Sequence, residues 1–467
     1  MLKSNIAWMK KNVPSDLKVW KGMIQDIDWS QVAAKTKLSL QRDKDRITAE
    51  FKEFAAMDTS AKIDWLMNGD RHLGYLYKKD AIAFARREWK GLKSVGYDFV
   101  GWLKIWGGML NMVMKDPMSI MLAVFEYHWF ASYLATPAVV DRSVFGRRGK
   151  LLQADFDMWV AITHWAEDLI ANLIMADAKI GGNQKINKRI IMFDEMTMAQ
   201  MMAGFPNLLG IPYQMIPVFM VSEMDQLTLI PYIDAIESYG LPSDTCPLPT
   251  AECGCAVKDE YPMCGQGFIA SSMPCDGSVM ATSFQDRRFS KFMPSYPLCM
   301  PVRYDDEDTT EMAAADMKDC IHWVEGLTGE TWNWDTYFAT MEKMNECTRL
   351  EMEKWEINKT HYPQLVGSSF ELFRKWNYEM DGGLFPEGLK TQRKICKTMM
   401  ETYEKKLPAY VGGYEKYRAL IWSCPAHFYA NFSNWLANCW GIYALTEMEA
   451  LNMTKMLNTN QIGRAHV

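Results

Sequence analysis

The amino-acid sequence predicts an α/β protein built on parallel sheets and preceded by an all-helical N-terminal extension. Hydrophobic residues make up 49% and charged residues 23% of the chain, which is the balance of a globular protein. Residues 1–180 carry helical apolar patterns, as at 47–57 and 155–178, without a glycine-rich loop. From residue 189 onward, short apolar runs alternate with longer helical patterns. This alternation favours parallel strands joined by helices.

The elements of the second part follow a polar segment, residues 181–188, that separates the two patterns. Strands are predicted at 189–193, 267–273, 296–300, 418–422 and 441–445, and helices at 278–289, 309–326, 334–355, 370–378, 389–405 and 428–439. We expect a helical extension (1–180), a first α/β unit (181–308), a helical connection (309–410) and the start of a second α/β unit (411–461). Because ligands of such sheets bind beyond the carboxyl ends of the strands, functional residues are expected there.

Charge and hydropathy exclude several classes of protein. With 51 Lys and Arg against 57 Asp and Glu, the net charge is −6, which disfavours a nucleic-acid-binding protein. The first residues lack the apolar core and the cleavage site of a secretory signal. The most apolar stretch, residues 118–140, contains Glu126, His128 and Pro137, so it is interpreted as a buried helix. We expect a cytoplasmic protein with no membrane span and with reduced thiols.

The cysteines concentrate the candidate chemistry. The first of the 11 is Cys246, and five share one short stretch: Cys246, Cys253, Cys255, Cys264 and Cys275. Cys275 follows a predicted strand and precedes a helix, whose N-terminus stabilises a thiolate. Cys246 lies in a proline-rich segment predicted to be a loop. The spacing is irregular for zinc, whereas an iron–sulfur cluster tolerates it. On spacing alone, a metal site and reduced structural thiols both remain open.

Short motifs in a fixed order carry a resemblance to a known family. They are Lys188-Arg-Ile-Ile-Met-Phe-Asp-Glu195, Gly240-Leu-Pro-Ser-Asp-Thr-Cys246, Pro274-Cys-Asp276, Tyr296-Pro-Leu-Cys-Met-Pro301 and Arg418-Ala-Leu-Ile-Trp-Ser-Cys-Pro425. In this order and spacing, residues 188–461 resemble the 2-hydroxyacyl-CoA dehydratase and benzoyl-CoA reductase family. The resemblance leaves the helical N-terminal extension unaccounted for.

The resemblance implies a fold and a set of site residues. The fold is two Rossmann-like units, the second one truncated here, with a [4Fe–4S] cluster held between them by three cysteines. By position, Cys246 and Cys275 match the first two ligands. The third ligand of the family lies farther toward the C-terminus. We favour its loss from this sequence, because residues 462–467 resemble a translated sequencing adapter. The local substitutes are Cys424, at a strand end, and then Cys439.

The resemblance also implies a reaction. A second related subunit and a separate ATP-dependent iron–sulfur activator would take part, and the acyl-CoA thioester would become a ketyl radical anion that expels its 2-hydroxyl group to give an enoyl-CoA. No P-loop occurs, so ATP would belong to the activator. Glu195 matches an acidic position that orients substrate or moves a proton, although an acidic residue at a helix start also favours the helix dipole. The alternatives are benzoyl-CoA-type ring reduction and a non-catalytic scaffold stabilised by zinc or by thiols.

Overall fold

The computed structural model describes most of the chain, with gaps. The described residues are 28–68, 91–144, 146–180, 189–193, 196–224, 226–241, 245–272, 276–289, 293–299, 306–366, 381–407, 415–421 and 436–447, with positions 25, 301, 373, 376–377, 409, 432, 456–457 and 459. The helices predicted at 370–378 and 428–439 lie largely outside these residues.

Helices fill the described part of the chain before residue 180. They are α1 (Trp29–Ala56), α2 (Thr59–Asn68), α3 (Leu92–Lys115), α4 (Pro117–Glu126), a 3₁₀ helix (His128–Ala135), α5 (Thr136–Ser143) and α6 (Gly149–Ala176). The helical patterns predicted at 47–57 and 155–178 fall on α1 and α6. α6 is buried along most of its length. α3 packs closely on α6, because an added Cβ at Gly101 would overlap the ring of Phe156. Whether these helices form a separate domain stays a prediction.

Four parallel strands form the central sheet, which confirms the predicted α/β class. They are β1 (Arg189–Phe193), β2 (Leu208–Pro212), β3 (Gly267–Ser271) and β4 (Ser295–Leu298), in the spatial order β2-β1-β3-β4. The sequence predicts β1, β3 and β4 but not β2. Gly210 and Pro212 weaken the strand pattern of β2, since glycine leaves no side chain to pack and proline cannot donate to the ladder.

Helical segments connect and follow these strands. In the order of the chain they are a 3₁₀ helix (Met196–Gly204), a π-helical turn (Met215–Phe219), α7 (Met220–Met224), a second 3₁₀ helix (Gln226–Leu229), α8 (Ile230–Glu237), α9 (Pro247–Val257), α10 (Asp276–Phe289), α11 (Glu307–Thr328), α12 (Trp334–Asn358) and α13 (Pro386–Glu404). Beyond them, β5 (Tyr417–Ile421) and β6 (Ile442–Glu447) pair in parallel. This pair lies where the second α/β unit is expected, and a second Rossmann-like unit stays a prediction.

Successive residues of β1 face opposite layers, as the alternation of side chains along a strand requires. Ile191 and Phe193 pack into a core with Val324 of α11. Ile190 and Met192 point the other way, into the large core that contains the buried face of α6. The N-terminal helices therefore cover one face of the sheet.

Hydrogen bonds fasten the N-terminal helices to the segment that precedes β3. The indole Nε1 of Trp129 donates to the carbonyl oxygen of Glu260 at 2.8 Å. The backbone N–H of Met263 donates to Oδ1 of Asp177 at 2.8 Å, and the N–H of Ala178 donates to the Met263 carbonyl at 2.9 Å. Among the described residues, none of the helices combines the length and the hydropathy that a membrane span requires.

Candidate functional site

The order of the strands defines a switch point in the sheet. After β1 the chain adds β2 on one side, and it then adds β3 and β4 on the other, so the carboxyl ends of β1 and β3 lie side by side. Phe193, the last residue of β1, pairs with Ile269 of β3. Open α/β sheets bind their ligands in the crevice at such a point. This edge is therefore the candidate functional site.

Three of the four residues predicted for the site follow strand ends in the sequence but lie outside the described residues. Glu195 is the second residue after β1, Cys275 the fourth after β3, and Cys424 the third after β5. Their side chains, and the convergence of Cys246 with Cys275, stay predictions. Cys246 is the predicted site residue that the structure describes.

Cys246 is exposed and occupies the N-cap of α9. Its carbonyl oxygen accepts hydrogen bonds from the N–H of Thr250 at 3.2 Å and from the Thr250 hydroxyl at 2.8 Å. The loop predicted for this proline-rich segment is wrong from Pro247 onward. Proline at the first position of a helix loses no hydrogen bond, and its fixed φ suits the helix. The N-terminus of α9 favours negative charge, so a thiolate at Cys246 is stabilised there.

A buried polar pair anchors α9 beside the carboxyl edge of the sheet. The side-chain amide of Gln214 donates to Oε2 of Glu252 at 2.8 Å, and both residues are buried. Gln214 follows β2, and its neighbour Tyr213 donates its N–H to the carbonyl of Phe193 at 2.6 Å. This pair therefore ties the helix that begins at Cys246 to the ends of β1 and β2. Neither residue is predicted from the sequence, because nothing in the spacing of Gln214 and Glu252 marks them as partners.

The Cys-x-Cys pair of α9 does not form a chelating site. Cys253 packs with Ile236 and Ala281, whereas Cys255 belongs to the large core on another side of the helix. Residues two apart on a helix do not face each other. Burial raises the pKa of the Cys253 thiol to about 12 and that of Cys255 well above its usual range. Both are structural thiols, so a zinc site built on this pair is excluded.

Cys299 is also an exposed thiol, and it is not among the site residues predicted from the sequence. It directly follows β4, and its backbone N–H donates to Oδ2 of Asp316 at 2.7 Å. The last residue of β4, Leu298, pairs with Ser271 and accepts a hydrogen bond from the N–H of Ser272 at 3.1 Å. Cys299 therefore lies at the same edge as the end of β3. Its position near the end of the strand predicted at 296–300 was the available signal.

One of the thiols expected to hold a three-cysteine cluster, Cys246, lies among the described residues. The exposed thiol of Cys246 fits a thiolate ligand, since only the thiolate binds metal and the helix N-terminus favours that form. Within the described ranges, His, Cys, Asp and Glu form no group of three around one point. A complete set would therefore need sulfur atoms from outside those ranges, as the prediction of Cys275 and Cys424 requires.

Comparison with known proteins identifies a family. The family model of the 2-hydroxyglutaryl-CoA dehydratase D-component matches residues 226–462, just over half of the chain. The match includes α9, β3, β4 and the pair β5–β6, and it begins after β1 and β2. No curated protein matches the chain.

Proposed function

The chain belongs to the 2-hydroxyglutaryl-CoA dehydratase D-component family, and on that premise we propose that it is the iron–sulfur subunit of a 2-hydroxyacyl-CoA dehydratase. The observation that carries the proposal is the exposed Cys246 thiol at the start of α9. It lies within the matched residues, on a helix anchored at the switch point of the sheet.

We assign two of the cluster ligands to Cys246 and Cys275, and Cys424 is the candidate within this sequence for the third. When bound through three cysteines, a [4Fe–4S] cluster supplies low-potential electron transfer and one iron with an open position for a substrate oxygen. In this chain, α9 would stabilise the Cys246 thiolate through its N-terminus. Gln214 and Glu252 would hold α9 at the edge of the sheet, and so set the direction of the Cys246 side chain.

The proposed reaction removes water from a 2-hydroxyacyl-CoA. The C2–O bond breaks and the hydroxyl group leaves, a proton is lost from C3, and an enoyl-CoA forms. The proton needs an acceptor close to the substrate. Glu195 is proposed for this role, because in the sequence it is the second residue after β1, one of the two strands at the switch point. The electron that starts the reaction would come from a separate ATP-dependent activator, and a second related subunit would complete the enzyme.

Metal analysis after anaerobic purification tests the cluster assignment. We expect iron and sulfide in about equal amounts in the wild-type chain, as a [4Fe–4S] cluster requires. The variant Cys246→Ala is expected to lose most of its iron. The matched control is Cys253→Ala, which removes a buried thiol of the same helix and should retain the iron. Zinc in place of iron, or full iron retention in Cys246→Ala, would contradict the assignment and favour a scaffold.

An activity assay tests the reaction itself. The purified chain is combined with its partner subunit, the activator and ATP, and then supplied with a panel of 2-hydroxyacyl-CoA esters. Formation of enoyl-CoA, followed by mass spectrometry, is the expected result. Benzoyl-CoA is supplied in parallel. Its reduction without dehydration of any panel member would assign the chain to ring reduction instead.

A further inference from the structure

Helix α3 presents an apolar face to solvent. Its inner face, which includes Gly101, Ile105 and Gly108, is buried, and the helix packs there against α6. Its outer face carries six large apolar side chains that are 52–65% exposed: Leu92, Phe99, Leu103, Trp106, Leu110 and Met114. Their spacing of three or four residues, or seven where one turn is skipped, puts them on a single stripe. A helix that is apolar on both faces is normally buried on both.

The size of this outer face matches that of a specific interface. Six half-exposed side chains, with Val95, Val100 and Val113 beside them, present on the order of 800 Å², the area that each partner contributes to a standard interface. A monomer rarely exposes a contiguous apolar patch larger than a few hundred Å². We propose that the outer face of α3 is the interface between two copies of this chain, which pair antiparallel about a two-fold axis near Leu103.

The outer face is complementary to itself in this arrangement. An antiparallel pair centred on Leu103 brings Phe99 of each copy to the level of Gly107 in the other, and Leu110 to the level of Gly96. An added Cβ at Gly96 or at Gly107 would meet no atom within 4 Å, so both positions are open. Large side chains therefore meet open space across the two-fold axis, as an interface between identical surfaces requires.

Charge disfavours a membrane surface as the occupant of this face. Lipid-binding helices carry clusters of about four to eight basic residues. α3 has Lys93, Lys104 and Lys115, and Lys115 is already paired with Asp168. The whole chain has a net charge of −6. A second copy of the chain is the occupant that these charges and this area favour.

Sedimentation equilibrium of the full chain across the micromolar range tests the proposal. The wild type is expected to form a dimer. The variant Leu103→Glu places two carboxylates near the axis and should raise the dimer dissociation constant at least about 30-fold, the loss expected at a central contact. The matched control Leu227→Glu introduces the same charge at another exposed leucine and should leave the dimer intact. Melting temperatures near that of the wild type would establish that both variants fold.

Cross-linking tests the position of the axis. Mild oxidation should link two copies of Leu103→Cys, whereas Lys104→Cys, one residue away and off the stripe, should stay unlinked. A monomeric wild type at all concentrations, or a dimer unaffected by Leu103→Glu, would overturn the proposal. Vesicle flotation tests the remaining occupant. A monomeric wild type that binds anionic vesicles, and a Leu103→Glu variant that does not bind them, would overturn the dimer and assign the outer face of α3 to a membrane surface.

Discussion

Alkylation rates should separate Cys246 from the buried thiols of its own helix. Burial raises the pKa of Cys253 to about 12. At pH 8 such a thiol is ionised to about 1 part in 10⁴, whereas an ordinary exposed thiol with a pKa of about 8.5 is ionised to about one quarter. Because the thiolate is the reacting form, the exposed Cys246 is expected to react on the order of 10³ times faster than Cys253.

The assay is a pulse of iodoacetamide on the native, metal-free chain, with each modified peptide quantified by mass spectrometry. Cys299 is exposed and should also react rapidly. In guanidinium chloride the cysteines should react at similar rates, which controls for differences in peptide detection. If Cys253 reacts within tenfold of Cys246 in the native chain, Cys253 is not buried by the packing of α9 as described, and Cys246 is not the preferentially accessible thiol of this segment.

Three further predictions concern the packing around the site and α3. Glu167 lies on α6 and faces Gly108 of α3. Burial raises the pKa of Glu167 to about 8, so the folded state favours its protonated form and loses stability as pH rises from about 4.5 to about 8. Relative to Glu167→Gln, which does not titrate, the free energy of unfolding of the wild type should fall by about 2–3 kcal/mol between pH 6 and 9, as followed by thermal unfolding. Parallel pH profiles of the two proteins would contradict this. Gly101→Ala should lower the melting temperature because its Cβ overlaps Phe156, whereas Gly326→Ala, in open space on α11, should raise it slightly, and equal shifts would refute the close contact of α3 with α6. Gln214→Leu removes a donor from the buried Glu252 and should cost about 1.5–3 kcal/mol of stability in chemical unfolding. It should also cost part of the iron that the proposed cluster would hold, and unchanged values of both would argue against the anchoring of α9.

The sequence predicts those elements whose pattern is set locally. β1 is buried between two strands, so four of its five residues are buried and apolar, and the run is visible without any tertiary information. α6 and α11 likewise follow from their periodicity and length. β2 escapes prediction because its glycine and proline suit its particular neighbours: Gly210 faces Met202, where a side chain would not fit.

The site is harder to predict, because it depends on which way side chains point. Cys253 and Cys255 look equivalent in the sequence, yet they belong to separate clusters. The prolines around Cys246 suggest a loop, whereas Pro247 begins a helix. Cys299 and the Gln214–Glu252 pair belong to the candidate site because they lie at the same edge of the sheet, and this proximity is visible only in the folded chain. The resemblance correctly identified the family, and the ligand set stays a prediction.

The packing of the N-terminal helices on the sheet determines how this protein can be truncated. A fragment cut to the family-matched residues 226–462 would lose β1 and β2 and leave β3 with a bare edge. It would also expose Phe268 and Ala270, whose partners come from the discarded portion. Such a fragment is expected to aggregate through that edge. The family-matched segment is therefore shorter than the segment that we expect to fold.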